Sequence, residues 1–439
     1  MGSIKFNFFV LIALLSCPAL YAQTGHVAHG VGAINQSMAG AGTALPLDAT
    51  GALFWNPASI TDLKSSEMDI NADLVLIDAE LSSSLAPNTL GPGLPPLPLA
   101  GSSQTTADKA FLASIAWAHV PKDKKWAYGV YAGHIGGFSF DYKNNGRNPI
   151  TTPPPPLGLG VGEIFTTYTL IQVSPTLAYR VTNHLSVAVA PNLDFSILKA
   201  DPFPFTSPDD ANHDGFPTFP QSNRERAFGG GVQGSLYYKM SAWQVGFSLK
   251  SPQWFQSFDF EGRNELGAPR SFKFTLNYPM ILTAGIGYSG PKRLDWAADV
   301  RYIDYANTKG FDQRGFDPAT AAVKGLGWNS IWVFATGVQA RVSDRFSIRA
   351  GYGFNQNPIR ASDTFFNAGS ALITQNQINA GFSYRFRPHM AVSFAYHHAF
   401  ENGIQGPIQS PLGPVLGSSV QTHFGTDVLV LSLNRRSGT

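Results

Sequence analysis

Three groups of residues in this 439-residue chain have types and spacings that could do chemistry. The first is Asp210-Ala211-Asn212-His213-Asp214-Gly215. It places Asp210, Asn212 and Asp214 at alternate positions before a glycine, as in the first half of a calcium loop, where hard oxygen ligands must converge through a sharp turn. Gln221 stands where that loop would carry its bidentate glutamate, so a calcium site and a solvated turn are both open readings. The second group is Arg301, Arg349 and Arg385, whose guanidinium groups suit a carboxylate head group. The alternative is a structural ion-pair network, such as Arg301 with Asp299. The third group is Phe203, Phe205, Phe216 and Phe219, which form either a hydrophobic capture surface or packing at a rim. His397 and His398 are adjacent, so in a strand they face opposite sides and make poor joint ligands for one metal. No Ser-His-Asp or paired-carboxylate arrangement stands out. No catalytic residue is expected, and apart from the calcium reading no cofactor is required.

The elements that position these groups follow from composition and periodicity. Charged residues make up 14% and aromatics 13%, against roughly 25% charged in soluble domains. A net charge of +2 offers no field to hold nucleic acid. Lys5, the apolar run Phe6–Leu15 and the small-residue site Leu20-Tyr21-Ala22 read as a secretory signal peptide over residues 1–22, removed on export. Leu14-Leu15-Ser16-Cys17 also resembles a lipobox, the weaker reading. Cys17 is the sole cysteine, so the mature chain has no disulfide framework. Beyond the signal no run of ~18 apolar residues exists for a membrane helix. A closed β-barrel is the other structure that can span a membrane.

The periodicity favours that barrel. Leu185, Val187, Val189, Pro191, Leu193 and Phe195 alternate with Ser186, Ala188, Ala190, Asn192, Asp194 and Ser196. The same alternation runs through Trp243–Lys250, Asp295–Tyr302, Phe346–Asn355 and Gln377–Phe386. One face is apolar and ends in aromatic residues; the other is small or polar with isolated charges, as a lipid face and a lumen require. Charges such as Asp194, Lys250, Asp295, Asp299 and Arg301 should face inward. Short turns (Thr182-Asn183, Met240-Ser241, Gly290-Pro291-Lys292, Ser343-Asp344, Arg387-Pro388) alternate with long, Pro-rich connections. Counting segments predicts an all-β fold, about fourteen antiparallel transmembrane strands between residue 67 and the C-terminus. The third, Tyr128–Tyr142, holds Gly133, Gly136 and Gly137, which mark either a bulge or small-residue packing.

One stretch, residues 30–63, fails to alternate. A barrel wall lined with small residues cannot fill its own lumen, so residues 23–66 are expected to fold inside it as a hatch. Asn56-Pro57-Ala58 then forms the hinge, because proline cannot join a ladder. The pattern of Asn35, Gln36, Ser37, Gly40, Gly42 and Ala44, then Asp48, Ala49, Asn56, Pro57 and Ala58, resembles the FadL-type outer-membrane transporters. The resemblance implies a fourteen-stranded barrel gated by the hatch, passive passage of long-chain fatty acids or other hydrocarbons, and lateral exit through a kinked third strand at Gly133, Gly136 and Gly137. It also implies a location in the outer membrane of a Gram-negative-type bacterium. The partners implied are a hydrophobic small molecule, outer-membrane lipid and the barrel assembly machinery, with the chain acting as a monomer. An outer-membrane barrel with a binding, adhesive or lipid-modifying role is the alternative.

Overall fold

Alternating apolar residues place one face of every strand in lipid, and in the computed structural model, which describes residues 23–121, 125–290 and 293–437, they do so around a closed cylinder. The signal-peptide expectation and parts of the turns at 122–124 and 291–292 lie outside the described residues. Fourteen antiparallel staves follow one another. They are β1 (Glu67–Leu85), β2 (Leu99–Gln104 continued by Lys109–His119), β3 (Trp126–Tyr142), β4 (Ile164–Arg180), β5 (Leu185–Asp201), β6 (Glu225–Met240) and β7 (Trp243–Lys250 continued by Trp254–Phe255). The rest are β8 (Ile281–Ser289), β9 (Leu294–Ile303), β10 (Ile331–Arg341), β11 (Phe346–Asn355), β12 (Asn376–Arg387), β13 (Met390–Gly406) and β14 (Ser418–Arg436). β14 pairs with β1 from Arg436↔Glu67 to Ser418↔Leu85 and closes the wall.

The lipid face carries exposed apolar side chains such as Val189, Leu193, Val245, Phe334 and Leu431. At the short-turn end, Trp126 packs on Tyr179 and Trp243 on Tyr288, with centroids 4.5 and 4.8 Å apart. These amphipathic rings suit the membrane interface. Some staves run further than the alternation indicates: β5 continues past Ser196 to Asp201, and β9 past Tyr302 to Ile303. Their outer ends lose the alternation because they rise beyond lipid. The long connection between β7 and β8 carries a two-stranded outer hairpin, Phe258–Arg263 with Pro269–Phe274. Its Phe260 and Phe272 stack 5.2 Å apart and pack on Phe203.

Residues 25–61 lie almost wholly buried inside this cylinder. They form helix α1 (Gly32–Gln36), helix α2 (Ala49–Trp55) and a 3-10 turn over Pro57–Asp62. Asp48 caps α2 by accepting from Gly51 N at 3.1 Å. Asn56 caps the 3-10 turn through Ala58 N, and Pro57 occupies its first position, where its missing N–H costs nothing.

Candidate functional site

The hatch is tied to the wall by polar side chains that point into the lumen. Asp299 on β9 accepts from Gly42 N, Thr43 N and Thr43 Oγ1 at 2.9, 3.0 and 2.8 Å. It also accepts from Arg301 Nη2 at 3.0 Å, and Arg301 donates to the Gly40 carbonyl. Arg301 is therefore a hatch anchor, the structural member of the two readings given above. Asn56 donates to Thr43 O at 2.7 Å and to Leu236 O at 3.0 Å. Asn35 accepts from Trp55 Nε1 at 3.0 Å and from Val31 N at 3.1 Å, which holds α1 against α2. Asn379 holds the Gln36 carbonyl at 2.7 Å, while Ser37 Oγ donates to Ile34 O at 2.8 Å. Gly40 has φ of 80°, and a Cβ there would lie 1.9 Å from the His29 carbonyl, so only glycine fits. Gly42 is open only to hydrogen: a Cβ would come 2.8 Å from Asn35 Nδ2. Burial, with the Asp69 carboxylate beside it, pushes the Asp48 carboxyl well above the usual carboxylate range.

The wall is incompletely zipped between β2 and β3. β2 pairs with β3 from His119↔Tyr128 to Ser114↔Gly133. Above that point the two staves part, and they meet again only at the Thr105↔Tyr142 bridge. A register shift between His134 and Gly136 bends β3 along β4, and Gly137 has φ of 141°. Gly133, Gly136 and Gly137 thus lie along one slot in the wall. The N-terminal end of the hatch fills it: Val27 pairs with Gly136, and Gly137 N donates to His26 O at 3.1 Å. A Cβ on Gly136 would stand 2.1 Å from that carbonyl, so the close approach requires glycine.

His26 was not singled out in the sequence, yet it is the centre of an aromatic cage. Its ring lies 4.8 Å from Phe311, 5.2 Å from Tyr278, 5.4 Å from Tyr305 and 6.1 Å from both Trp328 and Tyr168. Its Nδ1 and Tyr305 Oη are 3.2 Å apart. Burial holds the imidazole down at about 3. No local signal could have found this residue, because its neighbours come from β4 and from outer loops far away in sequence.

Above the cage lies a cavity of about 120 Å³, lined by Phe138, Leu198, Phe203, Phe205, Phe219, Leu276, Leu326 and Phe366 among others, with no charged side chain among the described residues. Phe138 connects it to the cage, 5.6 Å from Tyr168. Three of the four expected phenylalanines meet here; Phe216 does not, and is 47% exposed on the loop outside. Arg349 and Arg385 are at the other end of the barrel, where they line a separate cavity. In the Asp210–Gly215 loop the acidic oxygens face backbone amides: Asp210 accepts from Asp214 N and Gly215 N at 2.9 and 3.0 Å, and Asp214 from Phe216 N at 2.9 Å. His397 is buried toward the hatch, 5.1 Å from His29, whereas His398 faces outward against Asp427 at 2.8 Å.

A closed fourteen-stranded wall, an occupied lumen and an apolar outer cavity define the class of outer-membrane transport barrels. The family described as outer membrane protein transport protein (OMPP1/FadL/TodX) matches residues 19–199 and 250–434, and the chain belongs to it. Its function class is transport, not catalysis. Among solved structures the chain is similar to the P. putida toluene transporter TodX, at 13% identity, TM-score 0.67, covering 94% of this chain and 99% of that one. It is similar to the Ralstonia pickettii toluene transporter TbuX at 16% identity and TM-score 0.67, covering 93% and 99%. For a Pseudomonas aeruginosa FadL homologue the values are 14% and 0.68, covering 94% and 100%. No curated protein matches by sequence.

Proposed function

We propose that this protein admits small, uncharged hydrophobic molecules through the outer membrane and releases them sideways into the bilayer. The observation that carries the reading is an apolar cavity, free of charged lining, that adjoins the His26 cage through Phe138, with the same hatch segment seated in a wall slot. Its volume of about 120 Å³ compares with an engineered apolar cavity of ~150 Å³ that holds benzene. That size suits one ring or a short hydrocarbon. A carboxylate would be stranded there without a cation, at a cost of several kcal/mol. Passage runs from the outer cavity to the cage, where cargo displaces His26. Displacement of His26 withdraws Val27 from Gly136 and opens the slot. Sideways release keeps the cargo out of periplasmic water, which disfavours it by ~0.8 kcal/mol per CH₂. The chain would be inserted by the barrel assembly machinery and act as a monomer.

Uptake of toluene into cells or loaded vesicles tests this. Deleting residues 23–28 from the mature chain should raise uptake several-fold, since the slot is left unsealed. Adding Gly136→Trp to that deletion should bring uptake back down, because the ring fills the vacated slot. Equal uptake by the deletion with and without Gly136→Trp would overturn the sideways route.

A further inference from the structure

The short-turn end of the lumen, which family membership places in the periplasm, holds a second cavity of about 400 Å³. Seven cations line it (Lys64, Lys239, Arg341, Arg345, Arg349, Arg385 and Arg436), against four acids, Asp62, Glu67, Asp295 and Asp344. Pairing leaves the excess on one side. Lys239 holds Asp62 at 2.8 Å, Arg341 holds Asp295 at 3.1 Å, Arg436 holds Glu67 at 3.1 Å, and Asp344 is taken by Arg293 at 2.9 Å. Among the described residues, Lys64, Arg345, Arg349 and Arg385 form no ion pair.

Two of these are placed against their own electrostatics. Arg385 N donates to Arg345 O at 2.8 Å, so these arginines stand opposite each other at the rim of β11 and β12. Like charges directly across a ladder are destabilising. Arg349 lies deeper on the same wall and is only 7% exposed. Its Nε donates to Gln339 at 2.7 Å and its Nη1 to Ser383 at 2.9 Å, while Nη2 has no hydrogen-bond partner among the described residues. The Asp48 carboxyl, within electrostatic range of Arg349, is committed to the Gly51 amide. Burial, then the fields of Arg341 and Arg436, lower the proton affinity of Lys64, as expected in a cavity of net positive charge. The facing surface is different in kind: Ile34, Leu45, Pro46 and Leu47 of the hatch are apolar.

We propose that this cavity binds a small amphiphilic anion, its carboxylate or phosphate gripped by Arg345, Arg349 and Arg385 and its apolar part lying on the hatch. A cavity of this volume is in the range of small-molecule sites, and a planar guanidinium suits either anion. The ligand would bridge wall and hatch and hold the hatch in place from the periplasmic side. This site is independent of the route that neutral cargo takes.

Calorimetric titration of the full mature chain in nanodiscs with benzoate tests it, with benzyl alcohol and inorganic phosphate as comparisons. Benzoate should bind saturably and benzyl alcohol should not produce the same heat. The double variant Arg345→Gln/Arg385→Gln should weaken benzoate by about tenfold or more. Arg387→Gln, exposed on the same turn, should leave it unchanged. Benzoate binding equally well to the double variant, or failing to bind the wild type, would overturn the site. Phosphate binding as tightly as benzoate would overturn the apolar half of the assignment.

Discussion

The Arg301 guanidinium lies 3.7 Å from the centroid of the Trp55 ring, and so joins the barrel wall to the last residue of hatch helix α2. The same side chain bonds Asp299 and the Gly40 carbonyl. One buried ion pair thus grips the hatch at two points, the turn after α1 and the C-terminus of α2. Asp299→Ala removes three hydrogen bonds to the hatch and strands a buried cation, which costs about 3–5 kcal/mol. Hydrogen exchange at Gly42 and Thr43 should accelerate strongly while the staves keep their protection. Asp259→Asn, on the exposed outer hairpin, should change neither.

The His26 latch should weaken in acid. Held at about 3 in the cage, the imidazole regains an ordinary value near 6.5 once withdrawn. A base whose closed-state value is depressed stabilises closure above its free value and loses that contribution as pH falls. Each pH unit below about 6.5 therefore costs the closed latch ~1.4 kcal/mol. The polar rings around it, Tyr168, Tyr278 and Tyr305, are phenols, whose ordinary value of about 10 lies far outside that window. Toluene uptake should rise between pH 7 and pH 5, and His26→Phe should abolish the rise. A pH response that persists in His26→Phe would place the sensing group elsewhere.

Filling the outer cavity should block capture without unfolding the barrel. Ala368 lines it and is buried. Ala368→Phe adds a ring to a space of about 120 Å³. Toluene uptake should fall by about tenfold, with overpacking limited to ~1–3 kcal/mol in the outer loops. Thermal melting of the barrel checks the second half of this expectation.

The Asp210–Gly215 loop should behave as a self-capped turn. Asp210→Ala removes the acceptor for two amides and should speed exchange at Asp214 and Gly215, with or without calcium. Calcium should leave wild-type melting unchanged. A calcium-induced rise in melting temperature that Asp210→Ala abolishes would restore the metal site.

The wall was legible because its signal is local. Val187, Val189 and Leu193 alternate with Ala188, Ala190 and Asp194, and a period of two needs no knowledge of partners. The hatch was legible by contrast, since residues 30–63 break that period, and Pro57 cannot join a ladder. The apolar cavity was legible in part: Phe203, Phe205 and Phe219 belong to it, but its other walls come from β3, β4, β5 and four separate outer loops. Arg301, Arg349 and Arg385 look alike in their strands. Their depth along the barrel axis separates them, one as a hatch anchor and two at the periplasmic cavity, and depth is set by register, which alternation leaves free. His26 carries no pattern at all. It becomes informative only when Tyr168, Tyr278, Tyr305, Phe311 and Trp328 converge on it.

The seam between β14 and β1 joins residues at opposite ends of the sequence, Glu67 with Arg436 and Leu85 with Ser418. Such distant pairings are slow to form, because loop entropy opposes them until much of the intervening chain is in place. The hatch precedes β1 in the chain, so it is available before this seam can form. The contacts made by Asp299, Arg301 and Asn379 are then expected to gather it while the sheet is still an open, curled ribbon, with the wall closing around a guest already seated.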